Sequence, residues 1–221
     1  MTTETIINPV NQLILAVEKA ESAPQLLDAV TELANFQSPE AIPTLIQVLG
    51  YNNPGAAVAA TEGLIALGEC AIEPLLRSLD QYNYGARAWA VRVFAGIGDI
   101  RALDLLINTA INDFSLSVRR AATKGLGSLQ WHQLPSAKII TTQTQILDTL
   151  LITINDGEWV VRYASIVSLE NLYQAIDISH EYLLNKIEEK LKQIITEDVE
   201  IAIQSRGKLA LKKIDNKEYL I

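Results

Sequence analysis

The chain has 221 residues, 49% of them apolar and 20% charged, which is enough apolar material for a large core and excludes a disordered chain. A formal net charge of −8 with a pI near 4.8 argues against nucleic-acid backbone binding, which needs a basic stripe to release counterions. A single cysteine, Cys70, excludes an internal disulfide framework and a Cys-cluster zinc site.

In chain order, the amino terminus MTTETIINPVNQ lacks the basic and apolar regions of a secretory signal. No uncharged apolar run approaches the roughly 18 residues of a membrane span, so the expectation is a soluble, cytoplasmic protein. Helical periodicity begins at APQLLDAVTELANF (23–36). It then recurs in pairs: PEAIPTLIQVLG (39–50) with AAVAATEGLIALG (56–68), ECAIEPLLRSLD (69–80) with ARAWAVRVFAGIG (86–98), and IRALDLLINTAIND (100–113) with VRRAATKGLGSL (118–129). TQTQILDTLLITIND (142–156) precedes VRYASIVSLENL (161–172), and EYLLNKIEEKLKQII (181–195) precedes IAIQSRGKLAL (201–211). Aligning Leu64, Phe94, Leu126, Leu169 and Leu209 brings the second helices into register. Small residues recur where a neighbouring helix must come close.

Pro39, Pro43, Pro54 and Pro74 fall in predicted first turns, and Gly50, Gly68, Gly98 and Gly127 near predicted ends. QWHQLPSAKIITT (130–142) breaks the period and reads as an exposed insertion in a single repeat domain covering 1–221. Helix pairs that cannot bury both faces alone stack on one another. The fold expected is all-α, a right-handed α-solenoid of five to six helix-pair repeats.

The segments Val118–Arg119 with Ala122 and Leu126, and Val161–Arg162 with Ser165 and Leu169, resemble HEAT repeats. Asp113 and Asp156 each precede an arginine by six residues, and Asp80 precedes Arg87 by seven. In HEAT solenoids such pairs form an Asp and Arg ladder between repeats, so the resemblance implies ladder roles for Arg87, Arg119 and Arg162. Arg92 and Arg120 stand outside that pattern.

Enzymatic constellations are sparse. The only histidines, His132 and His180, offer no metal cluster, and a single His-Glu dipeptide at 180–181 departs from the repeated dipeptides of HEAT-type iron hydroxylases. No G-x-S-x-G elbow or phosphate-cradling glycine loop is present. Cys70, beside Glu69, lacks the electropositive surroundings that activate a thiol. Instead, residues 82–163 hold all three tryptophans and six of the eight arginines. This set suits a flat conjugated ligand with carboxylates, aromatics stacking on its faces and guanidinium forks on its acids. It suits a protein interface equally, while Trp89 follows the apolar face closely enough to be core.

YNYGARAWAVRVFAGIGDIRALDLLINTAINDFSLSVRRAATKGLGSL (82–129) and DGEWVVRYASIVSLENL (156–172) closely resemble the F-type subunits of the cyanobacterial phycobilin lyases. The resemblance implies a heterodimer with an E-type HEAT-repeat subunit. That pair attaches phycocyanobilin through a thioether to a cysteine of the phycocyanin α subunit, and can remove it. It further implies no permanently bound cofactor and a place in cytoplasmic phycobilisome assembly. Relatives that also isomerise the bilin carry a His-Cys motif, which this chain lacks, so plain attachment is expected. The acceptor supplies the thiol, so no catalytic residue is assigned. The candidate bilin- or partner-binding residues are Tyr82, Tyr84, Arg87, Trp89, Arg92, Arg119, Arg120, Trp159 and Arg162. A non-catalytic scaffold, or a lyase subunit for another biliprotein, are the alternative expectations.

Overall fold

The structure is a computed structural model that describes residues 8–79 and 84–218, with the side chains of 8–79 and 85–215. All regular structure among the described residues is helical. It divides into two compact units, Met1–Ile97 and Gly98–Ile221.

The first unit contains α1 (Pro9–Glu18), α2 (Ala23–Phe36), α3 (Ile42–Val48), α4 (Pro54–Leu67), α5 (Ile72–Ser78) and α6 (Tyr84–Ile97). Caps set the boundaries. Ser22 accepts from the Gln25 amide before α2, Asn53 accepts from the Ala56 amide before α4, and Pro24 and Pro54 occupy the first turns. Helix α4 lies between α2 and α6, which explains its composition: Ala56, Ala57 and Ala60 are fully buried, and larger side chains would hold the neighbours apart. By length and composition the run Pro54–Ser78 is apolar enough to cross a membrane. It is broken at Gly68, with φ of 62°, by a 3-10 turn, and half of it is buried inside the protein. Helix α1 was not anticipated. Its apolar cluster Leu13–Leu15 shows no clear period, although Asn8 caps it and Val10 and Val17 are buried.

The second unit contains α7 (Leu103–Asn112), α8 (Leu116–Leu126), α9 (Ser136–Thr153), α10 (Trp159–Ala175), α11 (Glu181–Glu197) and α12 (Ile201–Glu218). Helices α8, α10 and α12 stack side by side, backed by α7, α9 and α11. Leu126, Ile146, Leu150, Val161 and Leu169 are fully buried between the layers, each contributing about 1.5–3 kcal/mol. At Gly127 an added Cβ would lie 2.6 Å from the Ser168 Cα. Glycine there permits the close approach of α8 to α10, and the Ser168 hydroxyl donates to the Thr123 carbonyl at 2.8 Å across the same contact.

Two expectations need correction. Leu209 does not continue the core column of Leu126 and Leu169, because it is 47% exposed. Ile203, Gln204 and Gly207, 42 residues after Val161, Arg162 and Ser165, are the true equivalents. The segment 130–142 is also more structured than an insertion. Residues from Ser136 onward are the first turns of α9, while Trp131–Gln133 form a 3-10 turn tied to the start of the unit. There the Gln130 amide donates to the Gly98 carbonyl at 2.8 Å, and the Gln133 side chain accepts from the Ile100 amide at 2.9 Å.

Candidate functional site

The ladder is the frame of the site in the second unit. Arg119 Nε and Nη2 donate to the two carboxylate oxygens of Asp156 at 2.7 and 3.0 Å, while its Nη1 donates to the carbonyls of Asp113 and Phe114. Arg162 repeats the pattern with the Asp198 carboxylate at 2.7 and 3.0 Å and the carbonyls of Asp156 and Gly157. Each guanidinium therefore holds the loop of its own repeat by the backbone and the next repeat by a bidentate ion pair. Asp156, six residues upstream of Arg162, thus gives that arginine its carbonyl while its carboxylate serves Arg119. Each carboxylate also accepts an amide two residues on, from Ser115, Glu158 and Glu200.

These pairs are well shielded, with side-chain exposures of 15% and 12% for Arg119 and Asp156, and 12% and 4% for Arg162 and Asp198. The Arg162 fork holds the Asp198 carboxyl below its usual range, against the opposing effect of burial. At Asp156 burial pushes upward most strongly, but the fork of Arg119 and the Glu158 amide together prevail and the carboxyl is lowered. Both arginines are raised, first by the hydrogen bonds to their aspartates. At the ladder's last position Gln204 replaces arginine and donates only to the Asp198 carbonyl, at 2.8 Å.

The ladder also fixes what faces outward. Residues three and seven beyond each ladder aspartate lie on one helix face. They are Leu116 and Arg120 on α8, Trp159 and Tyr163 on α10, and Ile201 and Ser205 on α12. All are exposed, the aromatics at 45% for Trp159 and 38% for Tyr163. One turn further, exposed Lys124 and half-buried Val167 extend the α8 and α10 stripes. The α8–α10–α12 face is thus an apolar and aromatic strip with cations Arg120 and Lys124 at one side. Phe114 and Val199 project from the ladder loops at 76% and 87% exposure, Phe114 with its carbonyl held by Arg119.

In the first unit, the Arg92 guanidinium lies 4.3 Å from the centre of the Trp89 ring, a cation–π stack on the surface of α6. Trp89 is half-buried, whereas Ala88, Val91, Val93 and Phe94 form the core, so the packing expectation for Trp89 gives way to a partly exposed one. Arg87 borders a small cavity of about 40 Å³ together with Leu49, Leu75 and Ala90. Tyr82 and Asp80 lie outside the described residues, and Tyr84 opens α6 without a described side chain. The expected pairing of Asp80 with Arg87 is therefore not described.

Of the predicted residues in the second unit, Arg119, Arg120, Trp159 and Arg162 come together; in the first unit, Trp89 and Arg92 pair on α6. Tyr163, Leu116 and Ile201 were missed, although their spacing from each ladder aspartate was available in the sequence. A groove of about 400 Å³ on the α9–α11 side is lined by Ile140, Thr144, His180, Glu181 and Tyr182; with Glu181 in it and no lysine or arginine, it is a poor match for a ligand with two carboxylates. Among the described residues no three His, Cys, Asp or Glu side chains converge to hold a metal. Cys70 is exposed in its 3-10 turn.

Comparison with known proteins bears on the fold and the family. The family model of the PBS lyase HEAT-like repeat matches residues 25–51 and 86–110. The chain is 49% identical to a phycocyanobilin lyase subunit beta of Pseudanabaena tenuis over 94% of its length and 74% of that protein's. It is 49% identical to the phycocyanin alpha phycocyanobilin lyase CpcF of Synechocystis over 92% of its length and 97% of that protein's. A solved complex of CpcE and CpcF of phycocyanin lyase from Nostoc contains a chain of 47% identity and TM-score 0.72, matched over 79% of this chain and 99% of that one. A designed armadillo repeat protein, 17% identical with TM-score 0.60 over 94% of this chain and all of its own, shares the fold alone. Together, the ladder, the helix-pair repeats and these relatives place the chain in the family of F-type, or beta, subunits of the phycocyanobilin lyases.

Proposed function

We propose that this chain is the F-type subunit of a heterodimeric bilin lyase that, with an E-type companion, attaches phycocyanobilin to a cysteine of the phycocyanin α subunit and can detach it. The observation that carries this reading is the 49% identity to CpcF across nearly the whole chain, joined by the likeness to a solved CpcE and CpcF complex. The bilin is a substrate that passes through, and the reaction belongs to phycobilisome assembly in the cytoplasm.

In this reaction the acceptor's S–H adds across the exocyclic double bond of ring A. A C–S bond forms and the proton passes to the conjugated system, so the lyase need not supply a nucleophile. Its work is to hold the bilin extended, present one face and exclude stray thiols. The α8–α10–α12 face supports that role: Trp159 and Tyr163 are placed for stacking, and Arg120 and Lys124 for acids. Arg119 and Arg162 keep the ladder, which fixes the helix starts that present these side chains. Trp89 and Arg92 form a second stacking surface, with Tyr82, Tyr84 and Arg87 in the neighbouring sequence.

A scaffold role has one observation in its favour, the exposed Phe114, Val199 and Ile201 on the ladder rim, which have the character of a protein-binding edge. Reconstitution separates the two readings. This chain, an E-type subunit, phycocyanobilin and the apo α subunit should give a covalent adduct, read by red absorbance and by fluorescence of the denatured, zinc-stained α band. A folded, associated pair yielding no adduct above the spontaneous background would refute the lyase reading.

A further inference from the structure

We propose that Arg206 and Lys213, on α12 beside the aromatic strip, form the subsite that receives a carboxylate of the bilin. The inference rests on the reading of the α8–α10–α12 face as the bilin surface. Glu170 on α10 accepts from both cations, from Arg206 Nη2 and from Lys213 Nζ, each at 2.7 Å. One anion thus faces two cations, leaving one positive charge over. Arg206 Nη1 is buried and without a hydrogen-bond partner among the described residues, while Arg206 itself is 7% exposed. A buried guanidinium donor left unmatched marks a place where an acceptor belongs.

The cluster adjoins the strip. Tyr163 and Glu170 stand seven residues apart on one stripe of α10, as Arg206 and Lys213 do on α12. The Arg206 guanidinium carbon lies 5.8 Å from the centre of the Tyr163 ring, and Lys213 is 52% exposed. A carboxylate entering beside the Lys213 ammonium would neutralise the surplus charge and meet the unmatched donor. The conjugated body to which it is attached would then lie along Tyr163 and Trp159.

Helix packing alone does not account for the cluster. The positions equivalent to Arg206 and Glu170 one repeat earlier are Ala164 and Gly127, so the repeat assembles without charge there. A buried ion pair is, moreover, a poor stabiliser compared with apolar residues of similar volume.

The test uses the complex of this chain with its E-type partner, titrated by absorbance with phycocyanobilin and with its dimethyl ester. The native complex should prefer the free acid by about tenfold, the worth of one charge-assisted hydrogen bond. In the charge-free variant Arg206→Met/Lys213→Met/Glu170→Gln the preference should fall by about threefold or more, with ester affinity retained and the remainder held by Arg120 and Lys124. Should that variant not fold, Lys213→Met, at an exposed position, should by itself lose a measurable part of the preference. A folded variant that keeps the whole acid preference overturns the subsite. Trp159→Ala without effect on either form overturns the reading of the face, and the subsite with it.

Discussion

Replacing Arg162 by alanine removes four hydrogen bonds at once: two to the Asp198 carboxylate and two to the carbonyls of Asp156 and Gly157. The 12% and 4% exposures of the pair put it in the regime of buried ion pairs, not of surface pairs worth under about 1 kcal/mol. Deleting one partner of a buried pair costs about 3–5 kcal/mol. At roughly 2–4 °C per kcal/mol for a chain of this size, the midpoint of thermal unfolding should fall by at least about 6 °C. Arg162→Lys keeps the charge but cannot span carboxylate and carbonyls together, so it should recover less than half of the loss.

The pH profile gives a second check on the same pair. The Asp198 carboxyl is depressed in the folded protein, so its stabilisation is complete above the unfolded value of about 3.9 and is lost as pH falls through the lower folded value. The stability difference between the native chain and Asp198→Asn should therefore be flat from about pH 5 to 8 and shrink below about pH 4. The raised Arg162 contributes throughout that range, because its gain is present below the unfolded arginine value. Urea unfolding of the native chain, Arg162→Ala, Asp198→Ala and the double variant Arg162→Ala/Asp198→Ala measures the coupling. A coupling below about 1 kcal/mol would refute the ladder as a stabilising device.

Three further outcomes are expected. Arg120→Ala and Trp159→Ala, at exposed positions, should lower chromophore transfer while shifting the melting temperature by no more than about 2 °C; parallel loss of fold and transfer would contradict their assignment. Gly98→Ala should cost more than about 2 kcal/mol in denaturant unfolding, because φ is 71° there and a new Cβ would sit 2.2 Å from the Ser128 carbonyl oxygen. Glu170→Ala, which strands two cations, should destabilise by about 3 kcal/mol or more, and Glu170→Gln by less.

The helix pairs were legible in the sequence because periodicity, prolines at first turns and glycines at ends agreed with one another. The arginines of the ladder were legible from the Asp spacing at 113 and 156. Their carboxylate partners were not, since the partner of Arg119 stands 37 residues away and follows only from the stacking of repeats. Leu209 misled because leucine and alanine recur at several offsets along α12, and only the Gln204 bond to Asp198 fixes the register. Tyr163 was hidden by its setting within an apolar helix, and Arg206 by its isolation from the other arginines. The first turns of α9 were hidden by Pro135, which marks a break even though the helix begins at the next residue.

Gln204 also makes the ladder an end-counting device. An arginine at this position would present a free fork to whatever came next, and any helix pair with an aspartate in the right loop could be captured by it. The glutamine amide is spent on its own loop and carries no charge to offer across a junction. Duplicating the last helix pair would therefore add surface and core but no rung, and the new pair would be held less tightly than its neighbours. A single side chain thereby records where this series of rungs is complete.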